Sequence, residues 1–578
     1  MTIRRIPQWV SRQAAENPDH IAVTGMPPAR TEGSPAGGER RRETLTYAEL
    51  DAASNRLARR LREGGLEPGD RVGLLVPKSC SAIVGLVGIY KADGIAVPLE
   101  PTGPAARLVK VLDAAEPQFM LGSSKTAAVL DETLESSPTL HRRIEVGTLD
   151  RDGIAGEHFS SAFCGAELER LPGDGLEARG ESGDVAHLLF TSGSTGMPKG
   201  VMITHANVIH FVEWGVRYFG MSARDRVSGL SPLQFDLSTF DVFGAFAAGA
   251  ELHLVPPELP LAPHELAKFI REHGLTQWFS VPTVLNYMAR FDVVRHGDFP
   301  TLERLLWCGE VLPTTSLIYW MERLPHVRFT NLYGPTETTV ASSYHTVERC
   351  PRDEQEAIPI GTGCDDEELL VLDANLEPVP RGEIGEICIR GAGLSPGYWR
   401  DPVKTRAAFP RDPSAPDPAA RLYRTGDLGR QGDDGLVYFL GRSDSQVKSR
   451  GYRIELGEVE AALHAVSGVR ECAVSAIETG GFEGALLCCA YSSAPGGELD
   501  PAAVRRELAR TLPSYMLPMR WKSLERLPRN SNGKIDRKAL REAFQQEVCD
   551  AAGAAGWRGG NGGDRAGDQV AAPGMTRS

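Results

Sequence analysis

A ten-residue segment rich in hydroxyl groups and glycine, residues 191–200, is the part of the sequence best suited to chemistry. It reads TSGSTGMPKG and directly follows an apolar stretch typical of a β-strand. Its glycines allow close approach to a ligand, and its hydroxyls, backbone N–H groups and Lys199 can bind phosphate oxygens. It differs from the GxxxxGK[ST] pattern, because no Ser or Thr follows the lysine. We therefore predict a phosphate-binding loop between a strand and a helix; a flexible Ser/Gly surface loop is the alternative.

The ten cysteines do not form a metal-binding pattern. Apart from Cys488 and Cys489 they are scattered singly, without a CxxC pair or a Cys/His cluster of zinc-ligand spacing. The amino-terminal residues include no apolar stretch typical of a secretory signal. We expect reduced thiols and a cytoplasmic location.

Composition restricts the class of protein. The chain has 578 residues, of which 41% are hydrophobic and 24% are charged, as in ordinary globular proteins. A net charge of −13 argues against general nucleic-acid binding, which needs a basic face. The longest apolar run, residues 82–90, is far shorter than the roughly 20 residues that a membrane-spanning helix needs.

Alternating strands and helices must position the loop. The pattern predicts a strand at residues 71–77, a helix at 79–92, and a helix at 205–219 that is capped by Thr204. Apolar strands then alternate with helices such as the one that Gly274 ends. This rhythm predicts an α/β fold with parallel or mixed sheets.

The pattern divides the chain into regions. We predict an N-terminal core at residues 1–441, whose last part, from about residue 360, is a β-rich subdomain. A small α+β unit follows at residues 442–548, with a last helix at 537–548. Residues 549–578 are rich in Gly, Ala and Arg and are predicted to be a disordered tail.

The loop resembles the phosphate loop of the adenylate-forming superfamily, which includes acyl-CoA synthetases, luciferases and adenylation domains of nonribosomal peptide synthetases. The other adenylation-domain motifs occur in the family's order and extend the resemblance over about residues 8–545. They are residues 45–50 (LTYAEL), 91–98 (KADGIAVP), 235–238 (FDLS), 331–337 (NLYGPTE), 385–391 (GEICIRG), 423–428 (YRTGDL), 441–458 (GRSDSQVKSRGYRIELGE), 512–518 (LPSYMLP) and 532–537 (NGKIDR). The resemblance implies a large N-terminal domain and a small mobile C-terminal domain.

The resemblance implies that a carboxylate attacks the α-phosphate of ATP, giving an acyl-adenylate and pyrophosphate, with ATP and Mg²⁺ as cofactors. Glu337 is implied to bind Mg²⁺, Tyr333 to stack on adenine, and Asp427 to hold the ribose hydroxyls. The implied nucleotide-binding residues are Thr191, Ser192, Gly193, Ser194, Thr195, Gly196, Lys199, Asn331, Tyr333, Gly334, Thr336, Asp427, Arg442 and Lys534.

The implied catalytic set combines positive charge with a moving C-terminal unit. Lys534 bridges the substrate carboxylate and the α-phosphate, Lys199 holds the β- and γ-phosphates, and Thr336 contacts the α-phosphate side. Asp444 is implied to be the hinge of the C-terminal unit, and Gly451 to line a tunnel for a phosphopantetheine arm.

The resemblance also indicates the substrate. Asp236 occupies the position that pairs with the α-ammonium group in amino-acid-activating members. The other implied pocket residues are apolar and favour a small apolar amino acid, with proline as the preferred assignment and another small, cyclic or β-amino acid as the alternative. They are Leu237, Phe240, Phe279, Leu306, Cys308, Leu332, Val340 and Ala341.

The sequence shows neither a following carrier module with a GGxS site nor a preceding condensation domain. We expect a free-standing enzyme, similar to prolyl-AMP ligases, that loads a separate phosphopantetheinylated carrier protein in natural-product biosynthesis. The alternatives are an acid–CoA ligase, a phosphotransferase that releases ADP, and a non-catalytic scaffold; the presence of Lys534 and Glu337 argues against the last.

Overall fold

The computed structural model describes residues 2–25, 43–193, 196–444, 446–478, 485–493, 499–530 and 535–554, with side chains to residue 548. The strands are β1 (Ile21–Gly25), β2 (Glu43–Thr46), β3 (Arg71–Leu74), β4 (Ile95–Pro98), β5 (Phe119–Gly122), β6 (Glu145–Thr148), β7 (Val185–Thr191), β8 (Lys199–Thr204), β9 (Arg226–Gly229), β10 (Glu251–Leu254), β11 (Gln277–Ser280), β12 (Arg304–Trp307), β13 (Arg328–Tyr333), β14 (Ser343–Val347), β15 (Thr362–Gly363), β16 (Glu367–Leu372), β17 (Gly385–Gly391), β18 (Tyr423–Gln431), β19 (Val437–Arg442), β20 (Gln446–Ser449), β21 (Tyr452–Glu455), β22 (Val469–Glu478), β23 (Ala485–Ser493) and β24 (Arg520–Ser523).

The helices alternate with these strands over most of the chain. They are α1 (Gln8–Glu16), α2 (Tyr47–Glu63), α3 (Cys80–Lys91), α4 (Ala105–Ala115), α5 (Ala127–Ser136), α6 (Pro138–Arg143), α7 (Gly165–Leu168), α8 (His205–Phe219), α9 (Leu237–Thr239), α10 (Ala245–Ala248), α11 (Pro263–His273), α12 (Pro282–Arg290), α13 (Thr314–Arg323), α14 (Pro402–Ala408), α15 (Leu456–His464), α16 (Pro501–Leu508) and α17 (Arg537–Ala554). A π-helix spans Phe240–Gly244, and 3₁₀ turns span Leu259–Leu261, Thr336–Thr338 and Ser514–Met516.

Two large mixed sheets form the core, as the α/β prediction requires. Within the described residues, one has the order β15-β14-β13-β12-β11-β9-β10-β1-β2, and the other has the order β6-β5-β3-β4-β7-β8. Strands β13, β12, β11, β9, β10 and β1 are joined in parallel, and the antiparallel pairs lie towards the edges. The fold class is therefore confirmed.

The setting of the phosphate loop differs from the prediction. The loop follows β7, but it leads into the antiparallel strand β8, which begins at Lys199, and α8 starts only after that strand. The loop thus joins the two strands of a hairpin rather than a strand and a helix. Residues 199–204 alternate poorly between polar and apolar positions, so the sequence pattern gave only a weak strand signal there.

Local helix signals gave accurate predictions. Helix α8 spans the predicted residues 205–219, and Thr204 accepts the backbone N–H of Asn207 in a capping box. Gly274 ends α11 in the left-handed conformation, as expected. The strand predicted at 71–77 is shorter, because β3 ends at Leu74.

A four-stranded antiparallel sheet, β16-β17-β18-β19, forms the predicted β-rich region. Asp427 of β18 lies directly opposite Arg442 of β19 in this ladder. The register of these two strands therefore places the Asp427 carboxylate next to the Arg442 guanidinium.

The C-terminal part begins with a two-stranded hairpin of β20 and β21, which we call the β20–β21 hairpin. Helix α15 follows this hairpin. Strands β22, β23 and β24 form a three-stranded sheet, and α16 contacts its strand β24. Helix α16 ends at Leu508.

The chain divides into two compact units, residues 1–527 and 528–578. The predicted boundary at residues 441–442 lies inside the first unit and stays a prediction. In the second unit, α17 runs to Ala554, so its end enters the segment predicted as a disordered tail. The rest of that segment lies outside the described residues.

The described helices include none that combines the length and the apolar character needed to cross a membrane. The described cysteines are free thiols, and most of them are buried, in keeping with the expectation of reduced residues.

Candidate active site

Residues from several predicted motifs line one cavity of about 130 Å³. They come from the phosphate loop, the 235–238 motif, the 331–337 motif, strand β18 and the β20–β21 hairpin. The predicted residues on its wall are Thr191, Ser192, Asp236, Leu237, Cys308, Gly334, Thr336, Asp427, Arg442 and Gly451. The structure therefore brings together distant parts of the sequence, such as Thr191 and Gly451, which are 260 positions apart.

The phosphate loop presents polar groups to this cavity. The Oγ1 of Thr191 is buried and has no hydrogen-bond partner among the described residues. Ser192 Oγ donates to the carbonyl oxygen of Arg453 at 2.8 Å, and the N–H of Gly193 donates to Glu458 Oε2 at 3.2 Å. An unpartnered buried hydroxyl beside an N–H that is held by a carboxylate is a site prepared for an anion.

The remaining loop residues are described in part. The N–H of Gly196 donates to the carbonyl oxygen of Gly193 at 2.9 Å, which closes the turn. Lys199 Nζ lies 5.3 Å from the centre of the Tyr398 ring and 3.9 Å from Glu455 Oε1. Ser194 and Thr195 lie outside the described residues, and so does Lys534.

Glu337 is fully buried and carries a negative charge. Tyr398 donates its hydroxyl to Oε1 at 2.8 Å, and the Arg453 guanidinium donates to Oε2 at 2.7 Å. Burial alone would raise the pKa of Glu337, but Arg453 and Lys199 lower it to about 2. Burial, together with the charge of Arg453, lowers the pKa of Lys199.

The carboxylate of Glu337 fits the predicted magnesium site. It is an ionised hard-oxygen donor close to Lys199 of the phosphate loop, and Mg²⁺ in nucleotide sites is commonly held by one or two carboxylates plus phosphate oxygens. No group of three or more His, Cys, Asp or Glu side chains within the described ranges could hold a metal ion. A metal at Glu337 would therefore depend on ligands from a bound nucleotide.

Asp236 and Thr336 are directly bonded on the cavity wall, at the predicted substrate site. Thr336 Oγ1 donates to Asp236 Oδ2 at 2.6 Å. Burial raises the pKa of Asp236, because the cavity wall excludes water from its carboxylate. A cationic ligand would remove part of that penalty, so the site is suited to an ammonium group.

The predicted specificity residues fall into two groups. Leu237 and Cys308 line the cavity, whereas the other six are at most 3% exposed, pack in the core, and are not on its wall. These six are Phe240, Phe279, Leu306, Leu332, Val340 and Ala341. Phe240, for example, packs edge-on against Phe211 and Phe279, with ring centres 5.4 and 6.2 Å apart. Their part in substrate binding stays a prediction.

The residues predicted to bind the nucleoside are joined by a chain of polar contacts. Tyr333 donates its hydroxyl to Asp427 Oδ2 at 2.6 Å, and Arg442 contacts Asp427 Oδ1. Arg442 also binds Asp444 at 2.8 Å; burial would raise the pKa of Asp444, but this guanidinium lowers it. The predicted hinge residue is thus joined through Arg442 to the predicted ribose-binding carboxylate.

Asn331 makes a structural contact in this arrangement. Its side-chain amide donates to the carbonyl oxygen of Pro359 at 2.9 Å, and it is not on the cavity wall. Its predicted contact with the nucleotide stays a prediction.

The β20–β21 hairpin supplies cavity-lining residues that the sequence analysis missed. Gln446, Lys448, Tyr452 and Arg453 line the cavity, and Lys448 Nζ lies 5.6 Å from the centre of the Tyr333 ring. The sequence contains a signal for these four residues, because they belong to the 441–458 motif. The resemblance, however, assigns roles in this motif only to Arg442, Asp444 and Gly451. Arg107 of α4, which contacts Glu458, had no signal, because a lone arginine in an amphipathic helix is typical of a solvated face.

Two family models and several known proteins match this chain. Residues 10–399 match the AMP-binding enzyme family, and residues 458–534 match the AMP-binding enzyme C-terminal domain. Tyrocidine synthase 3 of Brevibacillus parabrevis is 34% identical over 534 residues, which is 92% of this chain but 8% of that protein. The chain thus spans a small fraction of the length of this much larger relative.

Solved structures share the architecture. IdnL1 is 28% identical, with a TM-score of 0.72 over 91% of this chain and 100% of that one. PA1221, an NRPS protein containing adenylation and PCP domains, is 25% identical, with a TM-score of 0.73 over 93% of this chain and 84% of that one. The chain belongs to the AMP-binding enzyme family, a class of adenylate-forming ligases, and the resemblance seen in its motifs is confirmed.

Proposed function

We propose that this protein activates a small apolar amino acid, with proline as the favoured substrate, and transfers it to a thiol. ATP and the amino acid give an aminoacyl-adenylate and pyrophosphate; the acyl group then passes to the phosphopantetheine of a separate carrier protein, with release of AMP.

The observation that carries this proposal is the bond between Thr336 and Asp236 inside a cavity that the phosphate loop also lines. Asp236 is a buried carboxylate suited to an ammonium group, and Thr191 supplies an unpartnered hydroxyl suited to phosphate. One molecule that carries both groups close together is an aminoacyl-adenylate. A fatty or aryl acid would leave Asp236 buried without a cationic partner, which is unfavourable.

In the first step, a carboxylate oxygen of the amino acid forms a bond to the α-phosphorus, while the bond from that phosphorus to the bridging oxygen of pyrophosphate breaks. No general base is needed, since the nucleophile is already an anion. The chain's part is to hold two anions together, and Lys199 of the phosphate loop is proposed to supply positive charge for this purpose. Mg²⁺, when bound at Glu337, would supply charge neutralisation for the phosphates.

In the second step, the sulfur of a thiol forms a bond to the acyl carbon, the bond to AMP breaks, and the thiol proton passes to solvent. The proposed route for the thiol passes Gly451, which lies on the cavity wall. A carrier protein is favoured over coenzyme A because one relative is named a dimodular nonribosomal peptide synthase, and PA1221 contains both adenylation and PCP domains.

Two apolar residues on the cavity wall support a small substrate without charge on its side chain. Leu237 and Cys308 are the predicted specificity residues on the cavity, and both belong to the main hydrophobic cluster. A polar side chain would lose its hydration there without compensation. Proline meets these conditions because it is compact and apolar and still carries a cationic amine.

Exchange of labelled pyrophosphate into ATP, measured with the twenty common amino acids and a few β-amino acids, tests this proposal. We expect the strongest exchange with proline or another small apolar amino acid, and AMP as the nucleotide product. A preference for charged side chains, or release of ADP, would contradict it. Loading assays with holo carrier proteins and with coenzyme A then identify the acceptor.

A further inference from the structure

Two residues of the C-terminal part hold the groups that are proposed to bind Mg-pyrophosphate. Glu458, at the start of α15, accepts the N–H of Gly193 in the phosphate loop and contacts Arg107. Arg453, in strand β21 of the β20–β21 hairpin, donates to Oε2 of Glu337 at 2.7 Å. A carboxylate thus sits where the loop would hold phosphate, and a guanidinium sits where the metal would bind.

Both contacts are buried. The side chains of Arg107 and Glu458 are 9% and 2% exposed, and Glu337 is fully buried beside Arg453. Such contacts are much stronger than ion pairs on a surface, because water screens them little. Breaking them without a replacement would leave uncompensated buried charges, so an exchange requires incoming groups of matching sign.

The cavity leaves little room for Mg-pyrophosphate together with the charged side chains of the C-terminal part. Its volume of about 130 Å³ is well below the roughly 300–1,000 Å³ typical of ligand pockets. Gln446, Lys448 and Arg453 of the hairpin are part of its wall. The nucleotide's pyrophosphate end and the charged groups of the C-terminal part are therefore alternatives at the same place.

We propose that Glu458 and Arg453 replace the two charges of departing Mg-pyrophosphate, so that the described arrangement forms only after that product has left. Glu458 takes the position of a phosphate at Gly193 and Arg107, and Arg453 takes the position of the metal at Glu337. The exchange keeps every buried charge paired, and Mg-pyrophosphate and this arrangement exclude one another. This inference rests on the proposed function.

Calorimetric titration of the whole protein with pyrophosphate, with and without Mg²⁺, tests the proposal in the absence of any amino acid. Glu458→Gln should lower the Kd for pyrophosphate under both conditions, because it removes the internal anion. Arg453→Gln should lower the Kd only when Mg²⁺ is present, because it removes the internal cation. We expect decreases of about fivefold or more, since the apparent Kd varies inversely with the fraction of molecules whose site is free.

Matched controls come from Glu507 in α16 and from Arg510, which follows the end of that helix; the two form an exposed pair with each other. Glu507→Gln and Arg510→Gln should leave both titrations within about twofold of the original protein, since they alter no buried charge pair. Thermal unfolding of each variant verifies that it is folded. The two test variants act on separate contacts, so either one alone can decide the outcome.

Unchanged or weaker binding of pyrophosphate in a folded Glu458→Gln or Arg453→Gln variant would overturn the inference and leave the proposed function standing. Tighter binding with the stated Mg²⁺ dependence supports it. If no protein, including the original, binds pyrophosphate with Mg²⁺, the inference fails together with the proposed nucleotide site, and the exchange assay will then be negative as well.

Discussion

Thr336 Oγ1 donates a hydrogen bond of 2.6 Å to Asp236 Oδ2, which joins the residue proposed to contact the α-phosphate to the one proposed to hold the substrate ammonium. The two halves of an aminoacyl-adenylate are thus recognised by side chains that fix each other. Thr336→Val, which removes the hydroxyl, should raise the KM for the amino acid by roughly tenfold, the effect of losing one hydrogen bond to a charged group.

Thr336→Ser is the matched control, because it keeps the hydroxyl and should stay within about threefold of the original KM. Pyrophosphate exchange as a function of amino acid concentration measures both variants. Equal KM values in the two would mean that the bond has no part in substrate binding.

The raised pKa of Asp236 predicts a pH dependence. The ionised form holds the substrate, and burial raises the pKa, so this form is lost as the pH falls through a value above the usual one for Asp. As the pH is lowered, the kcat/KM for the amino acid should therefore begin to fall at a higher pH than it would with an Asp of ordinary pKa. Glu337 stays ionised, since its pKa is about 2.

A pH profile of exchange from about pH 8 to about pH 5 measures this effect. In Asp236→Asn, the low residual activity should lack the acidic limb. An acidic limb of the same position in this variant would assign the effect to another group.

The cavity wall predicts which positions control substrate choice. Cys308→Leu enlarges a side chain on the wall and should weaken activation of larger amino acids more than of smaller ones. Phe240→Leu alters a core residue; it should lower the free energy of unfolding by about 1–2 kcal/mol and leave the ranking of substrates unchanged. A substrate panel and urea unfolding measure the two effects. A changed ranking in Phe240→Leu would show that Phe240 contacts the substrate, as the sequence analysis predicted.

Gly451 is proposed to matter for thiol transfer. It has φ +80°, and an added Cβ would lie 2.7 Å from Val281 Cγ1. Gly451→Ala should slow transfer from a supplied aminoacyl-adenylate by at least about tenfold and change exchange by less than about threefold, because the strain and the collision act on the described arrangement.

Gly435 provides a close control, since it has φ +81° and nothing within 4 Å of an added Cβ. Gly435→Ala adds the backbone strain without the collision and should leave both half-reactions near their original rates. Similar losses in the two variants would attribute the effect to strain alone.

Lys534→Ala should nearly abolish formation of the adenylate and largely spare transfer from a supplied aminoacyl-adenylate. The reason is that a cation between carboxylate and α-phosphate assists only the first step. Lys538→Ala is the control, because Lys538 is exposed and lies 3.9 Å from Glu542 on the same helix. Separate single-turnover assays measure each half-reaction; equal losses in both would refute separate roles.

Local signals predicted much of the fold. The capping box at Thr204 and the left-handed Gly274 mark helix ends by contacts within a few residues, so sequence alone suffices for them. Motifs likewise pointed to Asp236 and Thr336, which line the cavity; their roles, and that of Glu337, stay predictions. Strand β8 was missed because its pairing with β7 depends on the turn between them rather than on periodicity.

The charge pairs across the site could not be predicted in the same way. Arg107 and Glu458 are 351 positions apart, and neither residue carries information about the other in a single sequence. Burial of Phe240 was also hidden, because an aromatic residue next to a substrate motif fits a pocket wall and a core equally well. Long-range packing decides such cases.

The occupied state of Asp427 has a consequence for the choice among nucleotides. Its two oxygens already have partners in Tyr333 and Arg442, so an arriving sugar exchanges one set of hydrogen bonds for another. With a 2′-deoxy sugar, both oxygens of Asp427 would still have a donor, because the Tyr333 phenol and the Arg442 guanidinium can remain in place. In its proposed role, this carboxylate therefore favours ribose over deoxyribose less strongly than a carboxylate with no other partners would.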